Sequence, residues 1–358
     1  MIKYLGSKRT LLPLIRRTVA AIGSVRSAID LFSGTSRVGH ALKGDGLQVY
    51  ANDHTTYASI VARCYVQADA QDVERPARLL LAELNALPGE AGYVTATFCQ
   101  ASRFFHPKNG ARIDAIRQTI AAKALPAELE AVLLVALMEA ADRVDSTTGV
   151  QMAYLKQWAP RAHNDLQLRM PNVLPRARHG KGQASQLDAA QAVQHLTADL
   201  AYIDPPYNSH KYLGNYHIWE SLVLWDKPPV YGVACKRIDT KERASAFNSK
   251  RLAAAAMQAV IDGVQAPWLL VSFNNEGFFD RATLLAMLQR RGHVGVIETD
   301  FKRYVGAQIG VFNPQGQKVG AVSHLRNIEY LFVVAPDPDA LATVLGQVQT
   351  SGPQLLAI

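Results

Sequence analysis

One segment near the amino terminus constrains the fold more than any other part of this chain. Residues 28–32 are apolar apart from Asp30 and predict a short buried strand, and the mostly small residues at 33–39 predict a turn that opens a helix. A second apolar run at 47–51 predicts the next strand, which ends at Asn52 and Asp53. A strand, a glycine turn, a helix and a strand ending in an acid are typical of the opening of a doubly wound α/β sheet that binds a nucleotide.

The apolar pattern also predicts elements outside this segment. Residues 11–22 and 128–143 carry apolar side chains at helical spacing, so each predicts an amphipathic helix. Further strands are predicted at 200–203, 268–273, 294–299 and 328–334. Between about 70 and 179 the alternation of strand and helix lapses, and turns such as 106–110 are expected around the helix at 128–143.

The length and the charge of the chain indicate its organisation and its partner. At 358 residues it is longer than one average domain. We expect residues 1–70 and 180–358 to form the catalytic sheet domain and residues 71–179 to be an insertion. The net charge of +8 favours a polyanionic partner.

The cysteine content and the hydropathy indicate a compartment. The three cysteines are far apart and form no Cys-X-X-Cys pair, so neither a disulfide framework nor a zinc site is predicted. No apolar segment reaches the roughly 18 residues that a membrane span needs. The amino terminus leads into no apolar secretory core. We therefore expect a soluble, unexported protein of the cytoplasm.

The tetrapeptide Asp204-Pro205-Pro206-Tyr207 directly follows the apolar run at 200–203. The exocyclic amine of a nucleobase is a poor nucleophile because its lone pair is delocalised into the ring. The Asp204 carboxylate and the Pro205 carbonyl can accept its two N–H groups and aim the lone pair at an electrophilic methyl group. Pro205 and Pro206 make the turn rigid, and Tyr207 offers an aromatic face to a base taken out of its stack. The motif predicts amine methylation, and a purely structural Pro-Pro turn is the alternative.

The amino-terminal segment can supply a pocket for the methyl donor. Ligands of open α/β sheets bind at the carboxyl ends of the strands, near the point where the strand order reverses. Gly34 permits a close approach of backbone to ligand. Asp53 ends the second predicted strand, where a ribose-binding acid is expected. Because the turn is not a full G-X-G-X-X-G pattern, a tight structural turn is the alternative there.

With these residues assembled, the chain resembles the adenine-specific DNA methyltransferases in which cofactor motifs come first, the recognition region second and the catalytic motif last. The resemblance is closest to the FokI-type and Dam-like modification methylases. The segments that carry it are 3–8, 30–35, 52–53, 187–189, 204–207, 208–212, 216–220, 272–277 and 302–304. The chain departs from the pattern at Ser36, where many relatives carry glycine, and this puts the geometry of the glycine loop in question.

The resemblance implies S-adenosylmethionine as cofactor and a Rossmann-like sheet with an inserted, mainly helical DNA-recognition region. The cofactor-binding residues that it implies are Tyr4, Lys8, Asp30, Phe32, Gly34, Thr35, Asp53, Asp188 and Asp204. Tyr207 and Tyr304 are expected to wall the pocket of the target base. Asp188 is also placed to cap a helix, which is the alternative for that residue.

A basic stretch in the insertion supplies candidates for DNA contacts. The residues that we select are Lys156, Arg161, His163, Asn164, Arg169 and Arg176. Its arginines and lysine suit phosphates, whereas His163 and Asn164 can read base edges. A solvated surface is the alternative for the whole stretch.

We therefore expect a methyltransferase that flips adenine out of duplex DNA at a specific sequence and methylates its N6 amine. No metal is expected, because a sulfonium already supplies the electrophile and the leaving group. The alternatives are methylation of cytosine N4 or of an RNA base, and a sequence-specific DNA-binding protein without catalysis. A cognate restriction endonuclease as separate partner, the recognition sequence and the oligomeric state are left open by the sequence.

Overall fold

The computed structural model describes residues 1–209, 211–302, 311–312, 318–320 and 326–350. The strands of its central sheet are β1 (Ser27–Asp30), β2 (Gln48–Asn52), β3 (Gln183–Ser185), β4 (Leu200–Ile203), β5 (Trp268–Asn274), β6 (His293–Lys302) and β7 (Arg326–Ala335). Two small antiparallel pairs lie outside it, Val230–Tyr231 with Lys236–Arg237 and Val311–Phe312 with Lys318–Gly320. Each strand predicted from the sequence is present, with ends that differ by a few residues.

The α-helices of the described residues are α1 (Leu12–Ile22), α2 (Arg37–Gly44), α3 (Thr56–Ala62), α4 (Ala70–Ala86), α5 (Pro107–Ala122), α6 (Ala127–Arg143), α7 (Ala189–His195), α8 (Tyr212–Asn215), α9 (His217–Leu224), α10 (Ala253–Gly263), α11 (Arg281–Gln289) and α12 (Pro338–Thr350). Wider π-helical turns occur at Arg63–Gln67 and Thr95–Gln100. Short 3₁₀ turns occur at Pro160–His163, Ile238–Lys241 and Ala246–Asn248. None of these helices is long and apolar enough to span a membrane.

The central sheet is doubly wound, as the sequence predicts. Its strand order is β3-β2-β1-β4-β5-β7-β6. The strands from β3 to β5 run parallel, and β7 runs antiparallel to both of its neighbours. The chain reverses its direction of winding between β1 and β4, where Asp30 lies opposite Tyr202. This is the position at which open α/β sheets bind ligands.

Helices cover both faces of the sheet. In β1, Ala28 packs into the layer formed with α1, α2 and α12, whereas Ile29 packs into the opposite layer with α7, α10 and α11. Successive side chains of a strand point to opposite faces. Because both faces are covered, the central parallel strands β4 and β5 are buried along their whole length and do not alternate between buried and exposed residues.

A third apolar core joins α3 and α9 to the helices of the segment from 70 to 143. The prediction of turns at 106–110 was wrong, because Pro107 begins α5 and His106 caps it. Proline suits the first helical position, where its missing N–H is not needed. Asn109 and Gly110 obscured the pattern, since both are weak helix formers.

A buried carboxylate links this third core to the sheet. Glu220 of α9 has no exposed side-chain surface, and its two oxygens accept hydrogen bonds from the backbone N–H groups of Thr56 (3.1 Å) and Tyr57 (2.8 Å). These groups begin α3, where backbone N–H donors lack partners within the helix. Arg243 pairs with the same carboxylate at 2.7 Å. Glu220 thus fixes the start of the helix that follows β2.

We predict that Glu220→Ala lowers the free energy of unfolding by about 2–4 kcal/mol, because it leaves the N–H groups of Thr56 and Tyr57 without their acceptor and removes one of the carboxylate partners of Arg243. Urea denaturation of purified protein measures this. Glu74→Ala is the matched control, since Glu74 pairs with Arg78 on an exposed helical turn; its cost should stay under about 1 kcal/mol. Equal losses in the two variants would contradict the role assigned to Glu220.

Candidate active site

A pocket opens at the carboxyl ends of β1, β2 and β4. It brings together nine of the residues predicted from the sequence, namely Tyr4, Lys8, Phe32, Gly34, Asp53, Asp204, Pro205, Pro206 and Tyr207. Leu5, Gly6, His54, Thr55 and Tyr212 complete its lining. The predicted catalytic tetrapeptide and most of the predicted cofactor residues therefore share one cleft.

The glycine loop after β1 is tied to the end of β2. The backbone N–H of Gly34 donates to Asp53 Oδ2 at 3.0 Å, and Asp53 Oδ1 accepts from the N–H and the hydroxyl of Thr55. Gly34 has a φ of +49°, and a Cβ there would lie 3.3 Å from the Tyr4 ring. Ser36 also has a left-handed backbone, with a φ of +54°, so the departure from glycine keeps a conformation that glycine adopts more easily.

Three of the predicted cofactor residues lie outside the pocket lining. Asp30 is buried and accepts a hydrogen bond from the backbone N–H of Gly39 in α2 at 2.9 Å. Thr35 is buried in the loop before α2. Asp188 is exposed and caps α7 through the N–H of Ala190 at 2.9 Å, which matches the alternative considered for it.

Burial makes the Asp30 carboxyl resist ionisation. Its pKa is raised to about 7, mainly by burial, and the negative charges of Asp204 and Asp53 add to the shift. The hydrogen bond from Gly39 acts in the opposite direction. A carboxyl at the end of a central strand is thus protonated more readily than an exposed acid.

Tyr4 lies in a group of tyrosines. Its ring stacks on Tyr216 and Tyr212, with ring centroids 4.6 and 5.3 Å apart. Its hydroxyl lies 3.2 Å from that of Tyr57. The Tyr216 hydroxyl accepts the backbone N–H of Leu5 at 2.6 Å. These contacts fix the amino-terminal segment against α3, α8 and the start of α9.

The Asp204 carboxylate has an ammonium partner. Lys8 Nζ lies 3.2 Å from Asp204 Oδ1 and 3.4 Å from Glu329 Oε2. Burial raises the pKa of Asp204 to about 6; Lys8 opposes this shift, and Glu329 adds to it. Burial disfavours the charge on Lys8, but the two carboxylates outweigh burial and raise the pKa of Lys8 well above its usual value. Lys8 therefore carries its charge inside the cleft.

Tyr207 presents an aromatic face beside this ion pair. Lys8 Nζ lies over its ring, 5.8 Å from the centroid. The ring packs edge-on against Phe273 at 5.7 Å, and the Tyr207 carbonyl accepts the N–H of Phe278 at 2.9 Å. Burial raises the pKa of Tyr207 to about 12, so the phenol is neutral. Asp204, Pro205 and the ring of Tyr207 thus lie side by side in the pocket.

The family model of D12 class N6 adenine-specific DNA methyltransferases matches residues 4–262. The chain belongs to this family. It is therefore a DNA methyltransferase that acts on adenine, which confirms the function expected from the sequence, favours N6 of adenine over the cytosine and RNA alternatives, and favours an enzyme over a DNA-binding protein without catalysis.

Individual relatives agree with this assignment. The Type II methyltransferase M.NlaIII of Neisseria lactamica is 29% identical over 313 residues, which cover 84% of this chain and 92% of the relative. The modification methylase StsI of Streptococcus sanguinis is 29% identical over 313 residues, and M.FokI of Planomicrobium okeanokoites over 309. These matches cover 83% and 81% of this chain but only 47% of each relative, so the chain spans about half the length of those two proteins.

Several residues in and around this pocket were missed from the sequence. Glu329 is the second carboxylate that contacts Lys8. The sequence signal that could have found it is an acidic residue inside the apolar run at 328–334. An acid is rarely buried without a partner. Tyr57 gave no signal, because its role comes from contacts between segments far apart in sequence, and Tyr212 lies in the segment 208–212 of the resemblance but was not selected as a site residue.

Of the residues predicted to contact DNA, two form ion pairs within the protein and the other four are exposed. Arg161 pairs with Asp145 at 2.7 Å, and Arg176 pairs with Asp69 at 2.7 Å. Lys156, His163, Asn164 and Arg169 are exposed. Tyr304, predicted to wall the base pocket, lies outside the described residues.

We predict that Asp30 makes the stability of this methyltransferase fall as pH rises. Its folded-state pKa of about 7 lies above the ordinary value of about 3.9. Between these values the unfolded chain has lost a proton that the folded protein keeps, so raising the pH favours unfolding. Urea denaturation at pH 5 and pH 8 should show wild type losing stability relative to Asp30→Asn. If the difference in free energy of unfolding between wild type and Asp30→Asn were the same at pH 5 and pH 8, the raised pKa of Asp30 would be contradicted.

Proposed function

We propose that the methyl donor is S-adenosylmethionine and that it binds in the pocket between the glycine loop, Asp53 and the catalytic tetrapeptide. The observation that carries the proposal is the convergence of the two predicted residue sets at the switch point of the sheet. The chemistry of the lining suits the group. Asp53 can accept a ribose hydroxyl at Oδ2, because the N–H of Gly34 occupies only one of the two lone pairs of that oxygen. Phe32 and Pro205 offer apolar surface to a purine.

The other predicted cofactor residues divide by position. Tyr4, Lys8 and Gly34 line the pocket and are proposed to border the donor. Asp30 and Thr35 are proposed to act through the glycine loop and the start of α2, since neither lines the pocket. Asp188 is proposed to act through the position of α7, which follows β3.

The chain's own residues activate the target amine. Asp204 and the Pro205 carbonyl accept its two N–H groups, which turns its lone pair toward the donor pocket. Tyr207 stacks on the flipped adenine, and Tyr304 is proposed as a second wall. S-adenosylmethionine supplies, when bound, a methyl group on a sulfonium, which leaves as a neutral thioether. The proton that the methylated amine releases passes to Asp204 or to water.

Residues 71–179 are proposed to hold the recognition surface for double-stranded DNA, with 1–70 and 180–358 as the catalytic domain. Lys156 and Arg169 are exposed cations suited to phosphates, and His163 and Asn164 are exposed groups suited to base edges. Arg161 and Arg176 are proposed to reach DNA from the ion pairs that orient them. By analogy with the Type II relatives, a separate restriction endonuclease is proposed as the functional partner.

The first test is methyl transfer from labelled S-adenosylmethionine to unmethylated duplex DNA, followed by nucleoside analysis and mapping of the modified sites. We predict N6-methyladenine at one recurring sequence. Asp204→Asn should lower kcat by about 10³-fold or more, because it loses the charged acceptor, while cofactor binding measured by calorimetry persists. Asp262→Asn, on the exposed side of α10, is the matched control and should keep wild-type activity. Methylcytosine as product would refute the base assignment, and an active Asp204→Asn would refute the catalytic one.

A second prediction concerns pH. The Asp204 pKa of about 6 means that the accepting carboxylate form is lost as pH falls through this value. We expect kcat/KM for DNA to be level above about pH 7 and to fall tenfold per pH unit well below 6, since kcat/KM reports groups of the free enzyme. Initial rates between pH 5 and 9 measure this. A level profile down to pH 5 would exclude Asp204 as the titrating group.

A further inference from the structure

Lys8 occupies an unusual position for a residue bordering a cofactor pocket. Its ammonium lies between two carboxylates, and the side chains of Lys8, Asp204 and Glu329 are only 8, 18 and 9% exposed. Buried charges need partners, so each of the three depends on the others. The set carries one net negative charge when all three are ionised.

The ammonium also occupies the place that is proposed for the target base. It lies over the Tyr207 ring, on which the base is proposed to stack, and it contacts the carboxylate that is proposed to accept the amine. An ammonium and an exocyclic amine both offer N–H donors to Asp204. The two groups therefore compete for the same acceptor at the same aromatic surface.

We propose that Lys8 takes the place of the target amine at Asp204 while the base pocket is unfilled, and that Glu329 holds Lys8 once the base has displaced it. Glu329 is then a positioning residue of the reaction. The inference rests on the proposed function, because it requires the base to meet Asp204 and Tyr207.

The position of Glu329 suits this task. It lies on β7, where Asn274 of β5 and Thr299 of β6 are its strand neighbours, so strands on both sides hold its backbone. Lys8 already lies 3.4 Å from its carboxylate, and a small side-chain movement completes the transfer. Without Glu329, a lysine leaving Asp204 would be a buried cation without a counter-charge, which is costly.

The charged groups that face Asp204 determine in which direction each substitution should move its pKa. Lys8 comes from the amino-terminal segment and Glu329 from β7, and they oppose one another. The remaining titratable groups around the carboxyl are Tyr202, Tyr207, Tyr212 and Asp30. The tyrosines are neutral at working pH because burial raises their pKa values. Removing the Glu329 charge should therefore lower the pKa of Asp204, and removing the Lys8 charge should raise it.

The test is the pH profile of kcat/KM for duplex DNA at saturating S-adenosylmethionine. The acid limb is the part of the profile in which kcat/KM falls as pH decreases. In Glu329→Gln we expect the acid limb to move to lower pH. We also expect kcat/KM at pH 8 to fall by about tenfold, because one charge-assisted contact is lost. In Lys8→Met we expect the limb to move to higher pH. Glu329→Asp keeps the charge and should return the limb toward wild type. Glu298→Gln is the matched control, because Glu298 lies on β6 and pairs with Arg281, and its limb should not move.

Each outcome decides the inference. A rate in Glu329→Gln that falls equally at every pH, with the limb unmoved, would make Glu329 a structural residue and overturn it. If the acid limb of Glu329→Asp lay at the same pH as that of Glu329→Gln, the inference would also be overturned. If Lys8→Met fails to bind cofactor, the two Glu329 variants decide alone, and if Glu329→Gln fails to fold, the limbs of Lys8→Met and Glu329→Asp decide. A wild-type protein that transfers no methyl group at any pH would instead refute the proposed function.

Discussion

The ammonium of Lys8 joins three segments that are remote in the sequence. The amino-terminal segment, the loop after β4 and the antiparallel strand β7 meet at one nitrogen, through Asp204 and Glu329. Neither carboxylate would remain charged at its depth without a cation nearby. The position of the Asp204 carboxylate therefore depends on the first eight residues of the chain and on a strand more than 120 residues after it. An ion pair of this kind contributes more to the arrangement of the site than to net stability, since desolvation offsets most of its attraction.

The sheet provides the frame in which this pair can form. Reversal of the winding between β1 and β4 leaves a cleft at their carboxyl ends. Asp53 closes one side by fixing Gly34, and Tyr4 covers that glycine from above. Glu220 sets the start of α3 directly after the Asp53 loop. The acid at the end of β2 is thus held by its own loop and by the glycine loop, and the helix α3 begins three residues further on.

Local sequence patterns predicted the strands of the sheet and the position of the pocket. The features that depend on contacts between distant segments were not predicted. Short apolar runs predicted the strands because both faces of the sheet are buried, and the glycine turn and Asp53 marked the pocket. The helix α5 was missed because Pro107 and Gly110 read locally as a turn, whereas a helix start and a tertiary core accept them. Glu329 was missed because its partner lies 321 residues away. Exposure of Lys156, and the pairing of Arg161 with Asp145, likewise depend on how the insertion folds.

The insertion is not a separate body attached to the sheet. Its helices share one apolar core with α3 and α9. Gln151 also ties its later part to the segment after the catalytic tetrapeptide, because its backbone N–H donates to the Asn215 carbonyl and its side chain accepts the N–H of Ile218. Asn215 and Ile218 flank Tyr216, which stacks on Tyr4 at the pocket. The segment 71–179 is therefore connected to the pocket through one backbone hydrogen bond, one side-chain hydrogen bond and one aromatic stack. Gln151 thus joins the segment 71–179 to the start of α9 by direct contacts, and Tyr216 joins the start of α9 to the pocket.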